Sequence, residues 1–413
     1  RSAPGRPACL AGRQLVPADI GGLSIRMRIL ALTSRLPYPP NRGDRLRAFH
    51  LIEHLSREHE LVLLSFIAHE REHEHIPALR EYCQDVQVVP MGPRRSAATV
   101  ASNLWRRQPL QALYYRSKAM ERLVAEVLTS TGFQAAYVHL FRMAPYLARY
   151  PDLYRIIDLT DVISKEIGLS LPYRGLASRL VYRLEGPRIA RYERWVAQHF
   201  EETWLISEED RDILATACPG ANIQVVPNGV DTDYFRPVGV PVVQNRLLFV
   251  GHLRVFHNID AAHYLVQDIL PLVRREVPDC TVQIVGADPD PTVQRLGQEP
   301  GVSVTGFVPD LNDYLNRAAV FAAPLRFSAG VQNKVLEAMA AGRPVVTTSP
   351  VSSGVGSLPG RDLLVGDDAQ AFAAQTVKLL SHRQIRKDLG QAGRSFVWNN
   401  YSWTFALERM RAV

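Results

Sequence analysis

Gly330, Lys334 and Glu337 are residues whose types and spacing could do chemistry. They sit in Phe327-Ser-Ala-Gly-Val-Gln-Asn-Lys-Val-Leu-Glu-Ala-Met-Ala-Ala-Gly-Arg-Pro-Val-Val346. A strand-like run, Ala319-Val-Phe-Ala-Ala-Pro324, precedes the stretch, and a second, Pro344-Val-Val-Thr-Thr348, closes it. Between them Gly330 to Ala341 is expected to form a short helix, stopped by Gly342 and Pro344. A strand, a glycine loop and a helix start present free N–H groups and the positive end of the macrodipole, which together suit a phosphate. At this spacing Gly330, Lys334 and Glu337 share one helix face. A cation there neutralises phosphate, and a carboxylate one turn deeper accepts two hydrogen bonds from a ribose diol. On the pattern alone, an amphipathic surface helix with a Lys–Glu pair explains the same residues.

Such a helix needs a scaffold, and the chain supplies one twice. Its 413 residues suit about two to three domains. A composition 46% hydrophobic and 22% charged is that of an ordinary globular protein. Met27-Arg-Ile-Leu-Ala-Leu-Thr33 reads as a buried strand and Leu46, Phe49, Leu51, Ile52 and Leu55 as an amphipathic helix; Leu61-Val-Leu-Leu-Ser-Phe-Ile67 reads as a second strand. That alternation argues for a parallel, doubly wound sheet, whose ligands sit at strand C-terminal ends. The loop Arg35 to Arg45, with Gly43, lies at such an end, and so does His139 after Ala135-Ala-Tyr-Val-His-Leu140. Asp158 and Asp161 end the strand Tyr154-Arg-Ile-Ile-Asp158; Asp161 equally suits a helix cap. Prolines and glycine without periodicity mark a linker over residues 233–245, after which Arg246-Leu-Leu-Phe-Val-Gly251 restarts the pattern. Cys280-Thr-Val-Gln-Ile-Val-Gly286 and Val302-Ser-Val-Thr-Gly-Phe-Val-Pro309 are further strands with glycine ends.

Four scattered cysteines have no metal or disulfide spacing and fit a reducing, cytoplasmic setting. Residues 1–26 hold no trusted period and no apolar run long enough for a signal peptide; Met27 looks like the natural start, behind a loosely ordered extension. The net charge of +7 leaves anionic lipid or a polyanionic substrate as attracted partners. The arginine-dense pattern from Ala177 to Phe200 is the surface that would meet a membrane, unless it is simply a solvated face. No basic stretch is interleaved with stacking aromatics, so nucleic acid is not expected.

The motifs resemble those of retaining glycosyltransferases of family four. The match lies in Pro324-Leu-Arg326, Gly330, Lys334, Glu337-Ala-Met-Ala-Ala-Gly342 and Pro344-Val-Val346, and in Val226-Pro-Asn-Gly-Val-Asp231 at the domain junction. The resemblance covers nearly the whole chain after Met27. It implies an α/β, GT-B fold: two Rossmann-like doubly wound parallel-sheet domains facing across a cleft. The acceptor domain would span 27–238 and the nucleotide-sugar domain 239–395, with a helix over 396–413 returning to the first domain. It further implies that Gly330 and Val331 head the diphosphate helix, that Glu337 holds the ribose, and that Gly43 closes over phosphate and sugar. His139 would contact the transferred sugar. Phe307 and Val308 would offer backbone to the nucleobase beside the glycine ends Gly251 and Gly286. Arg45, Asp158 and Asp161 would face the acceptor. Many members carry a further glutamate where this chain has Ala329, and an arginine and lysine roughly where it has His252 and His257. The loop instead ends Asn258-Ile-Asp-Ala261, so phosphate neutralisation falls to Lys334 with Asn258 donating hydrogen bonds.

The implied reaction moves a sugar from a nucleotide diphospho-sugar, UDP- or GDP-linked, to a saccharide, lipid-linked or small-molecule hydroxyl, for polysaccharide or glycoconjugate synthesis. It needs no cofactor. Asp231-Thr-Asp233 and Asp288-Pro-Asp290 lie in junction or proline-rich loops, so no metal is expected. The rivals are a GT-B nucleotide-sugar 2-epimerase, which needs acid and base carboxylates in the cleft, and a non-catalytic nucleotide-sugar-binding protein.

Overall fold

The computed structural model describes residues 26–40, 43–103, 108–130, 132–327 and 330–406. The expectations placed on residues 1–25 and on Ala329 lie outside them. Continuous apolar runs become parallel strands covered on both faces. In β1 (Arg28–Thr33), Leu30 and Leu32 enter one core while Ile29 and Ala31 enter the opposite one. With β2 (Glu60–Ile67), β3 (Asp85–Pro90), β4 (Ala135–His139), β5 (Tyr154–Thr160), β6 (Glu202–Leu205) and β7 (Ile223–Val225) it forms a seven-stranded sheet, ordered β3-β2-β1-β4-β5-β6-β7. A second, six-stranded sheet holds β8 (Arg246–Val250), β9 (Thr281–Val285), β10 (Val302–Thr305), β11 (Val320–Ala323), β12 (Val345–Thr347) and β13 (Leu364–Val365), ordered β10-β9-β8-β11-β12-β13. In each sheet the order reverses once, between β1 and β4 and between β8 and β11. Loops diverge there and leave a crevice at the strand C-terminal ends.

Six helices bear on the site and its surroundings: α1 (Gly43–Ser56), α2 (Ile163–Ser170), α3 (Leu176–His199), α4 (Phe256–His263), α5 (Asn333–Ala340) and α6 (Arg383–Tyr401). The connector between the sheets is strapped to the second domain. Asn312 and Asn316 side chains accept from the Arg236 and Val238 amides at 3.3 and 3.1 Å.

The return to the first domain starts later than residue 396. Leu389, Gly393 and Val397 keep helical spacing and stay buried, so α6 runs unbroken to Tyr401. Gly390 lets it approach the carbonyl of Gly342, where a Cβ would come within 2.3 Å. The chain crosses at Ser402, which pairs with Val230. Trp403 then packs on His50, the rings tilted with centroids 4.1 Å apart, and fills the space a Cβ on Gly229 would need.

One charged group holds the first domain's interior. Arg47 of α1 is 1% exposed. It donates to Asp158 at 2.7 Å, to the Val226 carbonyl at 2.9 Å and to Asn228 at 3.0 Å. Tyr137 donates to the same Asp158 oxygen as Arg47, at 2.8 Å. Removing one member of such a pair strands the other charge without water. Arg47→Ala is therefore expected to cost about 3–5 kcal/mol in urea unfolding, and Arg47→Met with Asp158→Leu much less than the sum of the single changes.

Candidate functional site

The crevice of the second sheet is built by the loops leaving β8 and β11. Gly330 has φ of 61°, the left-handed region, so it cannot belong to a right-handed helix. The helix expected from Gly330 starts instead at Asn333, and Gly330 sits in the loop before it. A Cβ there would lie 1.7 Å from Asp161 Oδ1 of the first domain, and Gly354 packs against the carbonyl of Gly330 from the other side. Glycine is demanded by both conformation and space. Val331 is buried beside it.

Lys334, the second residue of α5, is half-buried and points back to the β8 loop. Its ammonium donates to Asn258 Oδ1 and lies 5.5 Å over the Phe249 ring. The Asn258 amide donates to the His252 carbonyl at 3.1 Å. Asn258 is thus a positioning residue, with both ends of its side chain in use. Two residues on, Asp260 pairs with Arg326 near the start of the loop after β11, 2.9 Å from its Nε. The Asn-x-Asp sequence pins one crevice loop to the other through two separate charged contacts. Gly251 leaves room for the Asn258 side chain, and Gly286 for the Gly251 carbonyl.

Glu337 lies one turn deeper, half-buried, and takes no hydrogen bond among the described residues. Burial pushes its carboxyl up to about 7, against the pull of Lys334. Burial also lowers Lys334 to about 7, against the pull of Glu337. Each is a charge short of solvent, as expected of groups that await a ligand. His252 pairs with Asp288 at 3.5 Å, and His257 with Glu166 of α2 at 3.6 Å. Burial lowers His257, against the pull of Glu166, which disfavours its charged form. Phe307, 69% exposed, and Val308 follow β10 at the same sheet edge.

The first domain closes the crevice. Gly43 opens α1 opposite Asn333, with Asn333 Nδ2 3.9 Å from where its Cβ would be. The two helix N-termini, positive ends both, meet there. Asn228 donates to Asn333 Oδ1 at 3.1 Å, which links the Arg47 cluster to the first residue of α5. Tyr173 stacks on Phe327 at 4.8 Å, Arg174 covers Phe256 at 4.6 Å and Arg326 covers Tyr173 at 4.8 Å. Asp161 is half-buried at this junction, and its Oδ1 is shielded from solvent with no partner among the described residues. Burial, with Asp210 and Glu166 nearby, raises its carboxyl well above the usual range. A register shift between Asp158 and Thr160, with Thr160 at φ 69°, precedes it.

Two acceptor-side expectations are corrected. Asp158 is wholly buried by Arg47 and Tyr137 and cannot touch an acceptor. Arg45 is turned to Glu72 at 2.5 Å, with its side chain 16% exposed. Among the described residues Asp161 caps no amide; Asp210 and Glu193 accept the free amides of Val162 and Ser164 at the start of α2. His139 does end β4 at the first crevice, 2% exposed, with Nε2 unpartnered among the described residues. Burial lowers it to about 4, so its imidazole is neutral. Arg142 and Arg35 stand nearby and were missed; Arg142 donates to Ser34 at 3.0 Å and Arg35 to Asp44 at 2.8 Å. Nothing in their local pattern singles them out. Arg326 was visible only as a motif letter.

Residues 244–382 match the family model described as Glycosyl transferases group 1. This second domain is a glycosyltransferase domain of that group. A relative from Mycolicibacterium smegmatis, a GDP-mannose-dependent alpha-(1-6)-phosphatidylinositol monomannoside mannosyltransferase, is 29% identical over 69% of this chain and 76% of its own. The sucrose-phosphate synthase of Thermosynechococcus elongatus superposes with a TM-score of 0.68 at 15% identity, over 93% of this chain and 98% of that one. Anabaena Alr3699/HepE in complex with UDP-glucose gives 0.64 at 13% identity, over 94% and 99%. At such identities the likeness is one of fold, and that fold is GT-B.

The lowered Lys334 makes a testable demand on the glycosyltransferase domain. Above pH 7 its amine is largely neutral in the free site, and a diphosphate binding beside it would recharge it. Donor binding at pH 8 is expected to take up a proton, with affinity falling by about tenfold per pH unit at most. Calorimetry in buffers of different ionisation enthalpy reads that uptake, and Lys334→Ala should abolish it.

Proposed function

We propose that this chain transfers a sugar from a UDP- or GDP-linked donor to an acceptor hydroxyl, with retention of anomeric configuration, in polysaccharide or glycoconjugate assembly. The observation that carries the reading is Lys334, held by Asn258 across the crevice of the second sheet, with Glu337 one turn deeper taking no hydrogen bond among the described residues. Donor diphosphate would lie at the start of α5, between its N–H groups, Lys334 and the start of α1. The bond from anomeric carbon to phosphate breaks and that from anomeric carbon to acceptor oxygen forms on the same face. The acceptor proton passes to the leaving phosphate. Charge gathers on that phosphate, and fixed donors in a dry crevice stabilise it without reorganising. Neutral His139 would hydrogen-bond the sugar, and Glu337 the ribose. The names of the two nucleotide-sugar relatives support a diphospho-sugar without choosing the base. The carboxylates of the two Asp-x-Asp sequences do local work, Asp231 capping the Asp233 and Tyr234 amides and Asp290 the Thr292 amide. That supports a reaction without metal.

The test is thermal stabilisation by GDP-mannose and UDP-glucose. One donor is expected to stabilise the wild-type protein, and Lys334→Ala and Glu337→Ala should each remove most of the shift. Turnover with that donor should survive excess chelator. Stabilisation that ignores both substitutions would refute the placement.

No helix among the described residues is long and apolar enough to cross a membrane. We place the acceptor side at an anionic lipid surface on the cytoplasmic face. Leu176, Leu180 and Leu184 of α3 recur at helical spacing and are 84, 63 and 62% exposed, with Arg183 exposed among them. Such an apolar stripe with arginines suits interfacial binding. Leu180→Asp with Leu184→Asp is expected to weaken co-sedimentation with phosphatidylglycerol vesicles by about tenfold or more, as loss of two buried leucines implies.

A further inference from the structure

The edge of the second sheet opposite the crevice carries a cavity that the transfer reaction does not use. It has a volume of about 510 Å³, within the range of ligand sites. One wall is the connector at residues 237–244, the second is the pair of turns before β11 and β12, and the third is the first part of α6. Five cations line it, Arg343, Arg383, Arg386, Lys387 and Arg394, and among the described residues no carboxylate does.

Three observations show that this charge is held against resistance. Arg343, Arg386 and Arg394 are half-buried, and burial followed by a neighbouring arginine lowers each of them. For Arg343 the neighbour is Arg386, and for Arg386 it is Arg383; of the three, only Arg394 feels a carboxylate, that of Asp233. Their guanidinium groups are fixed by carbonyls: Arg343 donates to Asn316 at 3.1 Å and Arg394 to Phe235 at 3.1 Å, while Arg386 donates to the Gln244 side chain at 3.1 Å. Finally, Arg383, Arg386 and Lys387 open a 19-residue helix whose first turn holds no acid, against the preference of a macrodipole for anions at that end. Mutual repulsion, desolvation and an opposed dipole are all relieved by one kind of occupant.

We propose that this cavity is a second anion site, which takes a phosphate-bearing group between the start of α6 and the connector. The anion could come from a soluble diphosphate or from a phospholipid headgroup, and either would tie the connector to α6. The site lies at the far edge of the sheet from Lys334 and does not depend on the donor assignment.

The probe is inorganic pyrophosphate, titrated calorimetrically into the full chain carrying Lys334→Ala, so that the donor crevice is disabled. Saturable binding is expected. Arg383→Glu with Lys387→Glu, both exposed positions that folding tolerates, should weaken it by about tenfold or more, as loss of two charge-assisted contacts implies. Gln384→Glu, a control at the same helix start but outside the cavity lining, should leave most of the binding. Pyrophosphate binding that is absent, or that survives the double charge reversal, overturns the proposal. Phosphatidylglycerol vesicles distinguish the sources. If the Leu180→Asp, Leu184→Asp protein still sediments with them and the charge reversal abolishes this, the occupant is a lipid headgroup; if it does not sediment but binds pyrophosphate, the occupant is soluble.

Discussion

The Arg47–Asp158 pair is the constraint from which the arrangement of the cleft follows. A guanidinium excluded from water must satisfy its donors inside the protein. Nε and Nη1 do so, with one carboxylate of the first sheet and two groups of the connector, the Val226 carbonyl and Asn228, while Nη2 has no partner among the described residues. Asn228 then holds Asn333, the first residue of α5. The buried cation thus sets the direction in which the chain leaves the first domain, and that direction places the start of α5 against the start of α1. Pairing of this sort adds little net stability over an apolar core, but it admits few alternative geometries.

Across the crevice the chain achieves rigidity by pairing charges rather than by bulk. Asn258 and Asp260 of α4 reach over to Lys334 and Arg326, which ties the segment after β8 to the segment after β11. The first domain adds Tyr173, Arg174, Glu166 and Asp161, whose contacts are aromatic, cationic or acidic. Such contacts can part and reform more readily than an apolar interface, which suits a cleft that must admit a donor.

The sheets were legible because their strands are buried on both faces. Runs such as Leu61-Val-Leu-Leu and Arg246-Leu-Leu-Phe-Val have no polar alternation to confuse them with surface strands. Lys334 and Glu337 were legible through local spacing, and the structure keeps them on one side of α5. What spacing could not show was which polar groups would be consumed inside. Asp158 and Arg45 each found a cation or carboxylate far away in sequence, Arg47 at 111 residues and Glu72 at 27. Arg47 itself hid in an amphipathic helix, where an arginine reads as solvated. The start of α5 was misplaced by three residues because a left-handed glycine is forced by Asp161 and Gly354, neither of which is nearby in sequence.

The crossing at Ser402 has a mechanical meaning. The polypeptide passes between its two halves at Val230 and again at Ser402, and the two passages are hydrogen-bonded side by side, with the Val230 amide 2.6 Å from the Tyr401 carbonyl. Two adjacent tethers leave a pair of rigid bodies little freedom to slide or twist. They leave rotation about a common axis, as in a door hung on neighbouring hinges.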